Sequence, residues 1–240
     1  MLIRWRAPVL FPFPRPFWDG HTSSKVLRPE RVVERCRLFR AAESHDWPAV
    51  FRLLAEDKES KLVNASCPDV STGYTLLHHA AAADAPVEVV EKLLQAGAFR
   101  SVCCQNYERP LDIAERLGFS GLVGLLEPES KHDLSQQDLV SLQTSFRELI
   151  LEEGLSPVRE MRLPQLGALL EQDDPTMTFE IPFGVFVYRL FKLPFPIAVN
   201  HDQEDFVLLV RSYQRMGEGR ERHFVITPHG RQLVSVRDYD

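Results

Sequence analysis

The first half of the chain carries apolar residues at helical spacing. The residues that recur three or four positions apart after Pro29 are Val32, Val33, Cys36 and Phe39. A proline is tolerated in the first turn of a helix, so a helix is expected to open at Pro29. A second apolar run covers residues 47–54. The spacing therefore predicts two consecutive helices here.

A longer amphipathic pattern follows Ser135. With Asp138 three positions later, this serine resembles a capping box at a helix start. The apolar positions that follow are Leu139, Leu142, Phe146, Leu149 and Ile150. Their spacing of three or four predicts a helix that runs to about Glu153, where Gly154 ends it. Its outer face would be acidic, through Glu148, Glu152 and Glu153.

From Met177 the apolar period changes from helical spacing to two, which is typical of a β-strand. Residues 183–191 are apolar on both faces, and further strands are expected at 206–215, 223–227 and 232–236. Glycine-containing turns separate the last three. The pattern predicts a small antiparallel β-meander, and a short helix is expected to precede it, beginning at Pro164.

Three blocks of the first half can be superimposed. Small residues coincide at 41–42, 80–81 and 114, where adjacent helices would have to pack closely. Paired leucines coincide at 53–54, 93–94 and 125–126. Leu77 and Leu111 are 34 residues apart, close to the period of about 33 that one class of helical repeat has. Units of this kind bury their apolar faces only against their neighbours.

The most regular block reads Gly-Tyr-Thr-Leu-Leu-His at positions 73–78. It resembles the Gly-x-Thr-Pro-Leu-His signature of ankyrin repeats, with Leu76 in place of the proline. Residues 35–127 are thus similar to about three degenerate repeats. The resemblance implies a mainly α, ankyrin-type helical repeat stack that is followed by a smaller α+β module with an antiparallel β-meander.

The second half resembles a short C-terminal module that follows ankyrin repeats in some fungal and bacterial proteins. The matching segments are Arg-Leu-Pro at 162–164, the aromatic stretch at 181–188, and the segments at 211–215 and 222–227. This resemblance implies a domain layout and carries no activity.

Composition shifts divide the chain into four parts. Residues 1–28 are a proline- and aromatic-rich leader, expected to be disordered or extended because prolines at alternate positions forbid a helix. Residues 29–127 hold the repeats and an N-terminal cap helix. Residues 128–133 are a polar linker, and residues 134–240 form the C-terminal α+β module.

Composition and charge also argue against several classes of function. A net charge of −6 argues against a dedicated nucleic-acid protein. Four cysteines without zinc spacing indicate neither a disulfide scaffold nor a metal site, so we expect no cofactor and a cytoplasmic location, with the nucleus left open. The longest apolar run, 183–199, is broken by charges and prolines, so no membrane span is expected. Organelle targeting by the arginine-containing leader is the less favoured interpretation.

The loops that would form the fingers of the repeat stack hold the candidate partner-binding residues. These are Asp69, Thr72 and Tyr74 in one finger and Asn106, Tyr107 and Glu108 in the next. Tyrosine suits an interface because it offers a large amphipathic contact at low entropic cost. Alternatively, Tyr74 and Tyr107 only fill the junctions between repeats, and the sequence does not separate the two interpretations.

Three residues of the repeats are assigned structural roles. His78 stands where the family motif has a histidine that hydrogen-bonds the turn backbone, and Gly73 and Gly97 serve a turn and a helix end. A metal site at His78 and its neighbour is not expected, because adjacent helical residues point apart. The pair at 103–104 is expected to be two buried cysteines, since no base or cationic field is visible in the sequence.

A predicted hairpin around Gly217 and Gly219 is rich in cations. Its basic residues are Arg211, Arg215, Arg220, Arg222 and His223. Pairs of guanidinium groups on one strand face could bind phosphate or carboxylate. The favoured interpretation is plainer: the arginines pair with Glu218, Glu221 and the acidic helix face.

Together these features predict a non-enzymatic adaptor, a monomer that binds a protein partner through its finger and groove surface. The alternative is that the C-terminal module binds an anionic ligand (phosphate, carboxylate or RNA) through the arginine hairpin, with the repeats as a targeting arm. A hydrolase using His223 lacks a positioned nucleophile, so no catalytic residue is predicted.

Overall fold

The computed structural model describes residues 16–57, 62–154, 156–192, 206–214 and 219–238. Within these residues the chain forms eight α-helices and one six-stranded sheet. The helices are α1 (Pro29–Glu43), α2 (Trp47–Glu56), α3 (Leu76–Ala82), α4 (Val87–Gln95), α5 (Pro110–Leu117), α6 (Ser120–Leu126), α7 (Gln136–Glu153) and α8 (Gly167–Leu170). The strands are β1 (Phe17–Trp18), β2 (Thr176–Ile181), β3 (Gly184–Lys192), β4 (Phe206–Gln214), β5 (Arg220–Thr227) and β6 (Gly230–Asp238).

The first six helices pack as three consecutive pairs. Helix α1 contacts α2, α3 contacts α4, and α5 contacts α6, while α3 also contacts both α1 and α5. The small residues at these contacts are fully buried, as Ala80, Ala81 and Ala114 show. Larger side chains would hold the helices apart, so the alanines permit the close approach. One hydrophobic core runs through all three pairs.

The second half is built on the sheet. Strands β2 to β6 follow one another antiparallel, and β1 adds to β2 in parallel, so the sheet is mixed. Helix α7 packs against β4 and β5, and its Phe146 ring lies 4.7 Å from the ring of Tyr188 on β3. The alternating pattern that predicted the meander is therefore confirmed. The short helix predicted from Pro164 begins instead at Gly167.

The prediction of a mainly α fold is wrong. The sheet and α7 form a second core of their own, beside the core of the helical pairs. The first strand comes from the leader, where Phe17 pairs with Thr178 and Trp18 with Phe179. The first half of the chain also adds Trp18, Phe99 and Val102 to the second core. The sheet is thus a major part of the fold, completed by residues from the other end of the chain.

Buried polar contacts join the two halves. The Arg162 guanidinium donates to the carbonyls of Asp19 and Asn64 and lies over the Trp18 ring, 5.0 Å from its centroid. The Trp18 indole N–H donates to the Arg162 carbonyl at 2.8 Å. Within the predicted linker, the backbone N–H of Lys131 donates to the carbonyl of Leu170 on α8. Residues 16–28 and 128–133 are therefore tied to the second half.

Candidate partner-binding site

One backbone hydrogen bond joins the two predicted fingers, and another closes the second finger. The N–H of Gln105 donates to the Thr72 carbonyl at 3.0 Å, and the N–H of Cys104 donates to the Glu108 carbonyl at 2.9 Å. Gly73 lies between them with a φ of +63°, and a Cβ atom there would be 3.0 Å from the Gln105 side chain. The left-handed conformation and the close contact both favour glycine at this position.

The structure separates the two finger tyrosines. The Tyr74 ring stacks on His78 with 5.4 Å between ring centroids, and its burial raises the pKa of its hydroxyl. Tyr107 is 84% exposed and has a φ of +62°. The left-handed conformation costs a non-glycine residue about 1–2 kcal/mol, so the surrounding hydrogen bonds must hold it. Tyr74 thus packs against helix α3, whereas the Tyr107 side chain is exposed.

His78, to which the sequence analysis assigned a structural role, is fully buried in helix α3. Its Nδ1 accepts from the backbone N–H of Thr75 at 3.2 Å and lies 2.8 Å from the Thr75 hydroxyl. Because the backbone N–H can only donate, Nε2 carries the ring hydrogen and donates it to the Glu108 carbonyl at 3.1 Å. Burial lowers the pKa of His78 to about 3. A neutral His78 therefore links helix α3 to the next finger.

The other predicted finger residues have separate surroundings. Asp69 has a φ of +62° and accepts from the backbone N–H of Ser24, so it anchors the leader. The carboxylate of Glu108 pairs with Arg116 at 2.6 Å, and Asn106 is exposed beside Tyr107. Gly97 has a φ of +92° just after α4, which suits its predicted role at a helix end.

A cleft of about 1020 Å³ opens between the finger of Tyr107 and helix α7. The finger loop forms one wall, α7 forms the other, and residues 159–167 line the space between them. Apolar contact comes from Tyr107, Leu134, Leu139, Val140, Met161 and Leu163. The Val140 side chain on α7 is 55% exposed. The volume is at the upper end of the range for ligand sites, about 300–1,000 Å³.

The charged lining of the cleft is mostly basic. It consists of Arg109, Arg147, Arg159, Arg162, Glu160 and Glu171. Four arginines against two glutamates leave an excess of two positive charges, although the whole chain has a net charge of −6. Sequence reasoning missed this cleft, because its walls lie about thirty residues apart in the chain and meet only through tertiary packing.

The arginine hairpin is largely neutralised by acids. Arg222 Nη1 lies 2.5 Å from Glu153 Oε1 on α7, and Arg220 Nε lies 2.7 Å from Asp238 Oδ1 on β6. Glu221 Oε1 lies 2.6 Å from His223 and 3.7 Å from Arg211. Arg215 lies outside the described residues. Pairing with Glu221 and the acidic helix face agrees with the plainer interpretation of these cations.

The cysteines show no activated thiol. Burial raises the pKa of Cys103, and Cys104 is buried. Burial raises the pKa of Cys67 to about 11. Thiols with raised pKa values are poor nucleophiles at neutral pH. These environments favour packing roles.

Across the described ranges, no group of three or more His, Cys, Asp or Glu side chains is placed to hold a metal ion. No helix in those ranges is long and apolar enough to cross a membrane. No protein-family model matches the chain, and no curated protein is significantly similar to it in sequence.

Proposed function

We propose that this protein is a non-enzymatic interaction scaffold that binds a protein partner through Tyr107 and the adjoining cleft. The observation that carries the proposal is the 84% exposure of a tyrosine fixed at a φ of +62°. An exposed aromatic side chain on a hydrogen-bonded turn adds little to the stability of its own chain. It does offer a preorganised anchor, which reduces the entropy lost on binding.

The surroundings of Tyr107 support the same function. The cleft supplies a concave surface with half-buried apolar side chains, and Val140 adds an exposed apolar contact on the opposite wall. A central aromatic anchor beside an apolar recess is the usual arrangement of an interaction hot spot. The ankyrin-like motif at 73–78 points the same way, because partners of that family usually meet the fingers and the adjoining groove.

The proposal is tested by comparing partners recovered with matched variants. Tyr107→Ala removes the anchor and, because the ring is exposed, leaves the thermal unfolding midpoint within about 1 °C. Val33→Ala, at a side chain that is 60% exposed on α1, is the control. Quantitative affinity purification from the native source should show at least one partner reduced about tenfold by Tyr107→Ala, the loss of a hot-spot contact.

The control must retain the same partner at the wild-type level. Equal recovery of every partner by wild type and Tyr107→Ala, with both proteins folded, would rule the proposal out. Loss of the partner from both variants would show that the effect is not specific to the finger.

A further inference from the structure

The cleft beside Tyr107 contains cations whose charge is not balanced locally. Arg147 on α7 and Arg159 in the 3-10 turn Ser156–Glu160 are both exposed, and neither is paired with an acid from the part of the chain that the structure describes. By contrast, the other exposed-face arginines considered above pair with acids, such as Arg116 with Glu108. The cleft therefore combines two exposed cations, unpaired within the described residues, with a concave and partly apolar lining.

Two glutamates also line the cleft, and one of them, Glu160, is exposed next to Arg159 in the chain. The Glu171 carboxylate accepts the backbone N–H groups of Arg100 and Ser101, at 3.0 and 2.8 Å. Arg109 is matched by Asp112 at 2.7 Å, so it adds little net charge. Arg162 keeps its charge, but it is held inward by backbone carbonyls. Without the paired Arg109, three arginines face two glutamates, an excess of one positive charge, and Arg147 and Arg159 are the exposed cations of the cleft.

We propose that the cleft binds an acidic segment of the partner protein, with carboxylates opposite Arg147 and Arg159 and apolar side chains between them. This inference rests on the proposed function and specifies the chemistry of the partner. Carboxylates match arginine because the planar guanidinium can donate two parallel hydrogen bonds. Leu139, Val140 and Met161 line the space between the walls and match the apolar side chains of such a segment.

A protein segment fits these features better than a nucleic acid does. A phosphate backbone would gain from the arginines but not from the apolar lining. It would also approach a chain with a net charge of −6, which repels polyanions. The acidic segment presents fewer charges and uses both kinds of surface. Single-stranded DNA is therefore a useful competitor in the test.

The test measures fluorescence anisotropy of a fluorescein-labelled dodecapeptide that alternates acidic pairs with leucine. Its neutral counterpart has glutamine and asparagine in place of the acids. The double variant Arg147→Glu, Arg159→Glu reverses the cleft charge. The matched control, Arg37→Glu with Arg52→Glu, makes the same charge change at two exposed arginines of α1 and α2 outside the cleft.

The full-length wild-type protein should bind the acidic peptide about tenfold or more tightly than the neutral peptide. The cleft variant should lose about tenfold or more of that affinity, whereas the control should stay within about twofold. Tyr107→Ala should also weaken the acidic peptide. Raising the salt concentration should weaken wild-type binding, because the cations are exposed and screened.

Four results would overturn the inference. They are no binding at about 1 mM acidic peptide, equal binding of the neutral peptide, equal losses in the cleft and control variants, and tighter binding of a thymidine dodecamer than of the acidic peptide. A different result would separate the two proposals: Tyr107→Ala lowers peptide binding or partner recovery, but the cleft variant does not. That result would refute the acidic segment and would leave the proposed function standing. If neither variant affects peptide or partner, both proposals fail.

Discussion

Replacing Asp19 with asparagine should destabilise the whole protein, although this residue belongs to a segment that the sequence presents as a leader. Asp19 is 6% exposed, and its two carboxylate oxygens accept from Arg35 at 2.5 and 2.9 Å. His21 Nδ1 adds a third contact at 3.0 Å. Burial alone raises the pKa of Asp19, but the hydrogen bond from His21 and the charge of Arg35 outweigh it and hold the pKa well below its ordinary value.

The size of the effect follows from the charge of Arg35, which the variant leaves without a partner. Asparagine keeps the shape of Asp19 but removes its charge, so the 6%-exposed Arg35 is left without its counter-charge, close to the buried guanidinium of Arg162. Breaking a buried ion pair on one side costs about 3–5 kcal/mol. Domains are stable by about 5–15 kcal/mol, so the loss would be a large share of the total.

Urea unfolding at pH 7, followed by circular dichroism, measures this loss. With a slope of about 3 kcal/mol per molar urea, the midpoint should fall by about 1 M or more. Asp173→Asn is the matched control, because Asp173 pairs with Lys131 in an exposed bridge. That variant should leave the midpoint unchanged within error.

The dependence on pH supplies a second check. The pKa of Asp19 is lower in the folded than in the unfolded state, so its stabilisation is full above the unfolded value near 4 and fades as the pH falls further. In the Asp19→Asn variant, the free energy of unfolding should lack the decrease at low pH that protonation of Asp19 causes in the wild type. A loss below about 1 kcal/mol, the range of surface bridges, would refute the reasoning that this pair ties the leader to the fold.

Two further predictions concern packing and protonation. Gly20→Ala should destabilise the protein by about 1–3 kcal/mol, because the added Cβ would lie 2.5 Å from Phe179 Cε2 and 2.9 Å from the Arg162 carbonyl. For His78, the folded pKa of about 3 lies below the unfolded value of 6.5, so protons bind the unfolded state first as the pH falls. His78 should therefore account for about 2 kcal/mol of the stability lost between pH 7 and pH 5, and His78→Asn should lack that part of the decrease. His79, whose pKa burial lowers to about 4, adds a separate part that both proteins keep.

Each of these predictions has its own control. Gly121, in helix α6, has no atom within 4 Å of an added Cβ, so Gly121→Ala should stabilise by up to about 1 kcal/mol. Equal urea midpoints for the two alanine variants would contradict the packing argument. For His78, equal decreases from pH 7 to pH 5 in wild type and His78→Asn would show that another group controls the acid response.

Local sequence patterns were sufficient to predict most of the helices and strands. The helix from Pro29 and the one that Gly154 ends are confirmed as α1 and α7, and the alternating segments became β2 to β6. These elements follow from periodicity within windows of about ten to eighteen residues. The structural role expected of His78 also relied on short-range spacing, whereas the contact of Arg222 with Glu153 joins residues 69 positions apart.

Long-range pairing explains what the sequence did not reveal. Trp18 pairs with Phe179, 161 residues further along the chain, and nothing local marks a two-residue strand after a proline run. The same limit hid the cleft, whose walls come from the Tyr107 finger and α7. Local sequence also could not distinguish Tyr74 from Tyr107. Their difference in exposure depends on whether the ring packs against His78 and not on the residue type.

A site-specific photo-cross-link from position 107 examines whether the Tyr107 face is the partner-binding surface. A benzophenone-bearing residue replaces Tyr107 in one sample and the exposed Val33 of α1 in a second. After irradiation with the co-purified partner, an adduct of chain and partner is expected from position 107 and not from position 33. An adduct from position 33 alone, or equal adducts from both positions, would contradict the assignment of this face.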